Sequence, residues 1–164
     1  RVIDYIRDVA EVIHTTTGTA TASQMLERFL FSPAMQYTPV SKLSGGEKRR
    51  LYLLRVLMSA PNVLILDEPT IAQDWNGRKI LQQIIRNLRK QGKMVLSILH
   101  DMDFVAENFE RVIVMAHGKV LADGTKEMIF AQSEVLKEAR IDQPYLTRLC
   151  SMLGYEKLYF TLKE

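Results

Sequence analysis

The sequence predicts an α/β fold in which a largely parallel sheet adjoins a mainly helical subdomain. In the first 60 residues or so the apolar side chains recur mostly at helical spacing, whereas from Val63 onwards short apolar strands alternate with helices. Such alternation is typical of α/β domains with parallel sheets. At 164 residues and 47% hydrophobic, the chain is long enough to bury a core.

The first part of the chain is predicted to consist of helices and loops. Thr21 and Gln24 can form a capping box at the start of a short helix, which Pro33 would end. The predicted elements in this part are an amphipathic helix over 2–14, a flexible loop over 15–21, the short helix through Phe31, a loop over 34–43 and a long helix over 45–59.

The second part is predicted to begin with a buried strand over 63–66 and to continue with a helix over 77–90 that Gly92 stops. Further strands are predicted over 94–99, 112–116 and 120–122, and further helices over 125–131, 133–139 and 144–153. The motifs divide the chain into a helical subdomain over 1–60, an α/β core over 61–124 and C-terminal helices over 125–164.

Two short motifs carry the candidate chemistry. Ser44, Gly45 and Gly46 stand where a helix is predicted to begin, and free N–H groups and the positive end of the macrodipole favour a phosphate there. Asp67 and Glu68 end the strand predicted over 63–66, at the strand tip where α/β sheets present ligands. We interpret the two motifs as two parts of one nucleotide-dependent machine.

Composition restricts the function classes further. The single cysteine, Cys150, excludes an internal disulfide and fits a reducing cytosol. No apolar run approaches the ~18 residues that a membrane helix needs. The net charge of +3 is too small to argue for nucleic acid. We interpret the basic cluster Lys48, Arg49 and Arg50 as a solvated helix face near a phosphate site, with nucleic-acid binding as the alternative.

The two motifs also resemble a known family. The string from Leu43 to Glu47 resembles the signature motif of the ATP-binding cassette (ABC) ATPases. An apolar strand starts sixteen residues after Glu47 and ends in Asp67 and Glu68, and it resembles the Walker B motif of the same family. This resemblance implies a partial P-loop NTPase (RecA-like) parallel sheet with an α-helical signature subdomain. It also implies ATP and Mg²⁺ as ligands.

The resemblance assigns roles to residues of both motifs. The signature residues would bind ATP across a head-to-tail dimer, closing on the γ-phosphate that the partner domain holds. Asp67 would orient Mg²⁺, and Glu68 would polarise the attacking water. The implied signature residues are Leu43, Ser44, Gly45, Gly46 and Glu47.

Two further positions match the family. His100 follows the next predicted strand, thirty-two residues after Glu68, where ABC proteins keep a switch histidine that contacts the γ-phosphate. Asp74 occupies the position of the D-loop aspartate, which crosses the dimer interface. Its neighbours Gln73 and Trp75 depart from the commonest D-loop pattern, in which Leu precedes the aspartate and Pro often follows it.

One expected motif is missing from the sequence. A P-loop reads Gly, four residues, Gly, Lys and then Ser or Thr. Both Gly-Lys pairs in the chain are followed by an apolar residue instead, Met94 or Val120. We therefore expect this chain to be the C-terminal two-thirds or so of an ABC domain, without ATPase activity when isolated.

The two parts of the chain resemble different ABC groups. Residues 1–70 resemble the ABC-F proteins, membrane-free ATPases of which many act on ribosomes. Residues 71–164 resemble the ATPases of energy-coupling-factor importers, for example from Gln73 to Trp75 and from His100 to Val105. Because the change falls at Walker B, a stretch that both groups share, one hypothesis is a chimera joined there.

These resemblances lead to one main functional prediction and two alternatives. The main prediction is the ATP-binding and ATP-hydrolysing subunit of an ABC transporter of the energy-coupling-factor type. Its partners would be a second ABC ATPase domain in a head-to-tail dimer and a membrane transporter subunit. It would be cytoplasmic and peripheral on the inner face of the cell membrane. The alternatives are a soluble ABC-F ATPase acting on the ribosome, and a non-catalytic structural or interaction fragment.

Overall fold

The computed structural model describes residues 1–15, 18–71, 73–155 and 160. The chain forms two compact units, Arg1–Leu96 and Ser97–Glu164, and each unit has a hydrophobic core of its own. The three-part division drawn from the motifs stays a prediction.

The first unit begins with helices and a hairpin and continues into an α/β part. Its elements in chain order are α1 (Val2–Arg7), β1 (Val12–Thr15), β2 (Gly18–Thr21), α2 (Ala22–Arg28), α3 (Pro33–Gln36), a 3-10 turn (Val40–Lys42), α4 (Gly45–Met58), β3 (Val63–Asp67), α5 (Trp75–Lys90) and the start of β4 (Met94–Ile98).

The helix predicted over 2–14 is wrong beyond Arg7. Strand β1 follows α1 and pairs antiparallel with β2, with Val12 opposite Thr21. β-branched residues lose side-chain freedom in a helix and fit a pleated strand well, so this Val-Ile-His-Thr stretch favours the hairpin. The described residues of the loop predicted over 15–21 are strand, and residues 16–17 of it lie outside the described residues.

The capping box predicted at Thr21 is confirmed. Its hydroxyl accepts a hydrogen bond from Gln24 N at 3.2 Å, while Thr21 N donates to Gln24 Oε1 at 3.0 Å. Pro33, however, opens the short helix α3 as well as following α2. A proline fits the first turn because the N–H that it lacks has no partner within a helix there.

The core of the first unit lies between α1, α2 and α4. Leu51, Leu54 and Met58 form the buried stripe of α4. Arg55 ties α4 to α1, because its Nη1 donates to Tyr5 O at 2.8 Å and its guanidinium lies 4.1 Å from the centre of the Tyr5 ring. The remaining buried members of this core are Val2, Ile3, Ile6, Ala22, Leu26, Phe29, Phe31 and Leu43.

Strands β3 and β4 form a two-stranded sheet and are connected through α5. Met94 N donates to Asn62 O at 3.0 Å. This bond joins the two strands at their N-terminal ends, as in a parallel pair connected by a helix. The arrangement agrees with the α/β class predicted from the alternation of strands and helices.

The full burial predicted for the strand over 63–66 is wrong. Leu64 and Leu66 are buried, whereas Val63 is 52% exposed and Ile65 is 64% exposed. Successive side chains of a strand point to opposite faces, so one face of β3 packs inward and the other remains in contact with solvent in this chain.

The second unit combines a hairpin with short helices. Its hairpin turns at His117 and Gly118, which both have positive φ angles, 52° and 71°. The strand predicted over 120–122 is longer than expected, and the three predicted C-terminal helices are confirmed. The elements are α6 (Met102–Asn108), β5 (Arg111–Ala116), β6 (Lys119–Thr125), α7 (Lys126–Phe130), α8 (Ser133–Ala139) and α9 (Tyr145–Met152).

A small core holds the second unit together. Phe130 lies at its centre, and Phe160 packs beside it with ring centroids 5.9 Å apart. Asp103 Oδ1 accepts a hydrogen bond from Tyr145 N at 2.7 Å and so ties the start of α9 to α6. In the described part of the chain, no helix is long and apolar enough to cross a membrane.

Candidate functional site

The predicted signature segment begins α4 through a second capping box. Ser44 Oγ accepts a hydrogen bond from Glu47 N at 3.3 Å, and Ser44 N donates to Glu47 Oε2 at 2.7 Å. Leu43 is buried in the core and anchors the segment, whereas Ser44 and Gly45 are exposed. The first amides of a helix have no partner within it, so Gly45 and Gly46 offer N–H groups to an anion.

Glu47 takes part in this cap as a carboxylate. Its pKa is lowered, first by the hydrogen bond from the Ser44 backbone, then by the Ser44 hydroxyl, with a smaller contribution from the positive charge of Arg50. A negative side chain is also stabilised by the macrodipole at a helix N-terminus. The structure thus gives Glu47 a capping role, and its predicted contact with nucleotide stays a prediction.

Exchanging Glu47 for Gln is expected to keep the capping box and remove its charge, because Gln can also accept from Ser44 N. The wild type should be more stable at pH 7 by less than about 1 kcal/mol, owing to the macrodipole. Because the folded-state pKa of Glu47 is lowered, the stability advantage is fully present at pH values above its ordinary pKa of 4.5. The advantage is lost as the pH falls through the folded-state pKa. Urea unfolding at pH 7 and pH 3 measures it; an advantage that grows on acidification would contradict the assignment.

Asp67 and Glu68 lie at the C-terminal end of β3, as predicted. Asp67 is the last residue of the strand and is exposed, while Glu68 follows in a left-handed backbone conformation with φ 45°. A side chain other than glycine adopts this conformation at a cost of about 1–3 kcal/mol, and such strain concentrates at functional sites. The turn closes when Ile71 N donates to Glu68 O at 3.2 Å.

The two carboxylates line a cavity of about 400 Å³ within the first unit. Helix α4 contributes Arg49 and Arg50 to the same cavity, and Gln73 lines it as well. Acidic and basic side chains therefore meet at one cavity. The other lining residues are Phe29, Tyr52, Leu53, Val56, Leu64, Ile65, Leu66, Pro69, Gly77, Ile80 and Leu81.

The structure gives Asp74 a local role and leaves the role predicted for His100 untested. Asp74 is the N-cap of α5, since its Oδ1 accepts a hydrogen bond from Gly77 N at 2.7 Å. Consequently α5 begins at Trp75, two residues earlier than predicted. His100 is exposed and lies two residues beyond the end of β4, in the second unit. Its placement beside the ATP phosphates stays a prediction.

The residues at the end of β3 suit a Mg²⁺ ion that is held mainly by phosphate. Among the described residues there is no cluster of three or more His, Cys, Asp or Glu side chains that could hold a metal ion. Mg²⁺ in nucleotide sites is usually bound by one or two carboxylates, substrate phosphates and water. Asp67, exposed at the strand tip, fits that donor set, and the bound ion would neutralise phosphate charge.

The interpretation of the basic cluster as a solvated helix face is wrong for Arg50. Its side chain is only 14% exposed, and its Nη1 lies 3.9 Å from Asp74 Oδ1. Arg49 Nη1 donates to the backbone carbonyl of Ile71 at 2.5 Å. A sequence signal for this existed, because Arg50 precedes the buried Leu54 by four residues and so lies beside the buried stripe of α4.

Comparison with known proteins decides the family of the segment that contains these motifs. Residues 6–71 match the family model described as ABC transporter, and this stretch includes α4 and the carboxylates at the end of β3. Residues 6–71 belong to an ABC transporter ATP-binding domain. The resemblance drawn from the signature and Walker B strings is thereby confirmed at the level of the ABC family.

Curated relatives extend the similarity over most of the chain. The chain is 48% identical over 123 residues to the uncharacterized ABC transporter ATP-binding protein YfmR of Bacillus subtilis (strain 168), covering 74% of this chain and 19% of YfmR. It is 38% identical over 124 residues to the energy-coupling factor transporter ATP-binding protein EcfA1 of Mycoplasmoides gallisepticum, covering 74% of this chain and 44% of EcfA1. The chain thus spans less than half the length of either relative.

A solved structure supports the fold class. This chain superposes on a solved structure of the ATP-binding cassette MJ0796 with a TM-score of 0.57 at 28% identity. That structure is the dimeric post-hydrolysis state, bound to ADP and Pi. The superposition covers 63% of this chain and 45% of that one. The predicted α/β class with a P-loop NTPase fold is confirmed.

Proposed function

We propose that this ABC domain belongs to the ATP-binding and ATP-hydrolysing subunit of a transporter of the energy-coupling-factor kind. The observation that carries the proposal is the backbone of Glu68. It is held in a left-handed conformation at the tip of β3 and lines a cavity with two arginines of α4. Backbone strain of this kind clusters at active sites and at turns that hold ligands.

In this proposal Glu68 is the group that polarises the attacking water, and the neighbouring Asp67 carries the Mg²⁺ of bound ATP. A positioned general base supplies about 10²–10⁴-fold in rate, and the rest of phosphoryl transfer depends on positioning and charge neutralisation.

The signature segment serves a different ATP molecule. We propose that the amides of Gly45 and Gly46, with the Ser44 hydroxyl, close on the γ-phosphate held by the P-loop of a second ABC domain in a head-to-tail dimer. Glu47 keeps Ser44 in place through the capping box, and Asp74 lies at the same interface. The sequence of this chain has no P-loop pattern of its own.

The relatives favour a transporter partner over a ribosome. EcfA1 is described as an energy-coupling factor transporter protein, which supports a membrane transporter subunit as the further partner of this ABC domain at the inner face of the membrane. Neither of the relatives named above is described as acting on a ribosome. The ABC-F alternative gains no support from them.

A hybrid protein tests the proposal. The 124-residue region of M. gallisepticum EcfA1 that this chain matches is replaced by the matching residues of this chain, so that EcfA1 supplies the rest of an ABC domain. The hybrid is expected to bind MgATP and to hydrolyse it, with unmodified EcfA1 as the reference. A folded hybrid that binds MgATP and releases no phosphate above background would contradict the proposed catalytic role.

A further inference from the structure

Two arginines of α4 reach the chain segment that follows β3. Arg49 Nη1 donates to Ile71 O at 2.5 Å, and Arg50 Nη1 lies 3.9 Å from Asp74 Oδ1. Both contacts connect α4 with the segment between β3 and α5. Arg49 follows Ser44 by five residues, so the contacts lie within the first two turns of α4.

The Arg49 contact is connected to the strained residue. Ile71 accepts from Arg49 through its carbonyl and donates through its own N–H to Glu68 O at 3.2 Å. The guanidinium therefore fixes one end of a turn whose other end is Glu68, with φ 45°. A strained backbone persists only when its surroundings hold it, and a charge-assisted hydrogen bond is a strong constraint.

The Arg50 contact is connected to the start of α5. The Asp74 atom nearest Arg50, Oδ1, is also the atom that caps α5 by accepting from Gly77 N at 2.7 Å. The packing there is close, since a Cβ added at Gly77 would collide with Gln73 Oε1 and lie 3.1 Å from Asp74 Oδ1. Arg50 is itself mostly buried, so little side-chain freedom remains to be lost.

We propose that Arg49 and Arg50 are positioning residues. They hold Glu68 and Asp74 in a fixed position relative to the N-terminal end of α4, where the signature segment lies. Displacement of Ser44 to Gly46 would then be transmitted to Glu68 and Asp74 through two side-chain contacts. The consequence for hydrolysis rests on the proposed function, whereas the contacts and their effect on the turn do not.

The test uses the 18.9 kDa chain itself, without nucleotide, and NMR measures the amide exchange of individual residues. Arg49→Ala is expected to speed amide exchange at Ile71 by about tenfold, the usual effect of losing a hydrogen bond to a charged group. It should also shift the indole signal of Trp75, the single tryptophan. Arg49→Lys, which keeps one donor, should restore most of the protection. Lys48→Ala removes one positive charge from the preceding position and is the matched control.

A second variant addresses the Arg50 contact without removing a buried side chain. Asp74→Asn keeps an N-cap residue of good quality but removes the charge that faces Arg50. It is expected to speed exchange at Gly77 severalfold while leaving Leu51 and Leu54 in α4 as protected as before. Unchanged exchange at Ile71 in Arg49→Ala, or an equal change in Lys48→Ala, would overturn the proposal.

The hybrid with EcfA1 then separates this inference from the proposed function. If the positioning contact and the proposed function are both correct, Arg49→Ala in the hybrid lowers kcat about tenfold and leaves the Kd for MgATP unchanged. Arg49→Lys should then recover most of the lost kcat. If the hybrid is inactive but the exchange results appear in the chain alone, the proposed function fails and the positioning contact stands. If exchange is unaffected in the chain alone, the positioning contact fails whatever the hybrid does.

Discussion

Exchanging Glu68 for Gln in the EcfA1 hybrid is expected to slow ATP hydrolysis by about 10²–10⁴-fold, the range that a positioned general base contributes. Gln has nearly the same size and keeps the same backbone conformation, but its amide cannot accept a proton from water. The affinity for MgATP should change little, because the phosphates in this proposal are held mainly by a P-loop and Mg²⁺. Phosphate release at saturating ATP and equilibrium ATP binding on one preparation measure the two effects separately.

Two further variants test whether the loss of hydrolysis is specific to the carboxylate of Glu68. Glu134→Gln removes a carboxylate from the exposed surface of α8, where it pairs with Lys137 at 2.9 Å, and should leave hydrolysis unchanged. Glu68→Gly should also abolish hydrolysis but should stabilise the fold by up to about 1–3 kcal/mol, because glycine accepts a positive φ without strain. Hydrolysis by Glu68→Gln within threefold of the parent hybrid would exclude Glu68 as the base.

Truncating Leu54 to Ala is expected to cost about 2–5 kcal/mol in the free energy of unfolding of the first unit. Leu54 is fully buried in the core that α4 shares with α1 and α2. The loss combines the transfer free energy of the missing methyl groups with the cavity left behind. Trp75 belongs to the same unit, so its fluorescence during urea unfolding reports the change.

Val56→Ala provides the comparison for Leu54→Ala on the same helix. Val56 is about half exposed and outside the core, so its truncation should change the free energy of unfolding by no more than about 0.5 kcal/mol. Similar losses for the two variants would mean that α4 is not packed as described.

The sequence predicts well those features that depend on neighbouring residues. The capping boxes at Thr21 and Ser44 need only a hydroxyl and a Glu or Gln three residues later. Strand β3 is predicted by the run of apolar residues before Asp67. For the same reason the start of α4 and the position of Glu68 at the strand tip could be predicted. The family resemblance rests on the same local strings.

The features that sequence reasoning missed depend on distant parts of the chain. Val9, Ala10 and Ile13 continue the helical spacing of α1 by coincidence, and only pairing with β2 decides that residues 12–15 form a strand. The contact of Arg50 with Asp74, twenty-four residues away, likewise depends on the folded chain. The left-handed backbone of Glu68 has no local signal, because a glutamate does not favour a positive φ.

The alternating burial of β3 has a practical consequence for protein engineering. Leu64 and Leu66 belong to the buried face, while Val63 and Ile65 lie on the exposed face of the same strand. Because neighbouring positions point to opposite faces, Val63, which does not line the cavity, can be replaced with threonine or lysine while the buried pair is kept. At this position of the strand, solubility can therefore be altered without changing the residues that govern folding.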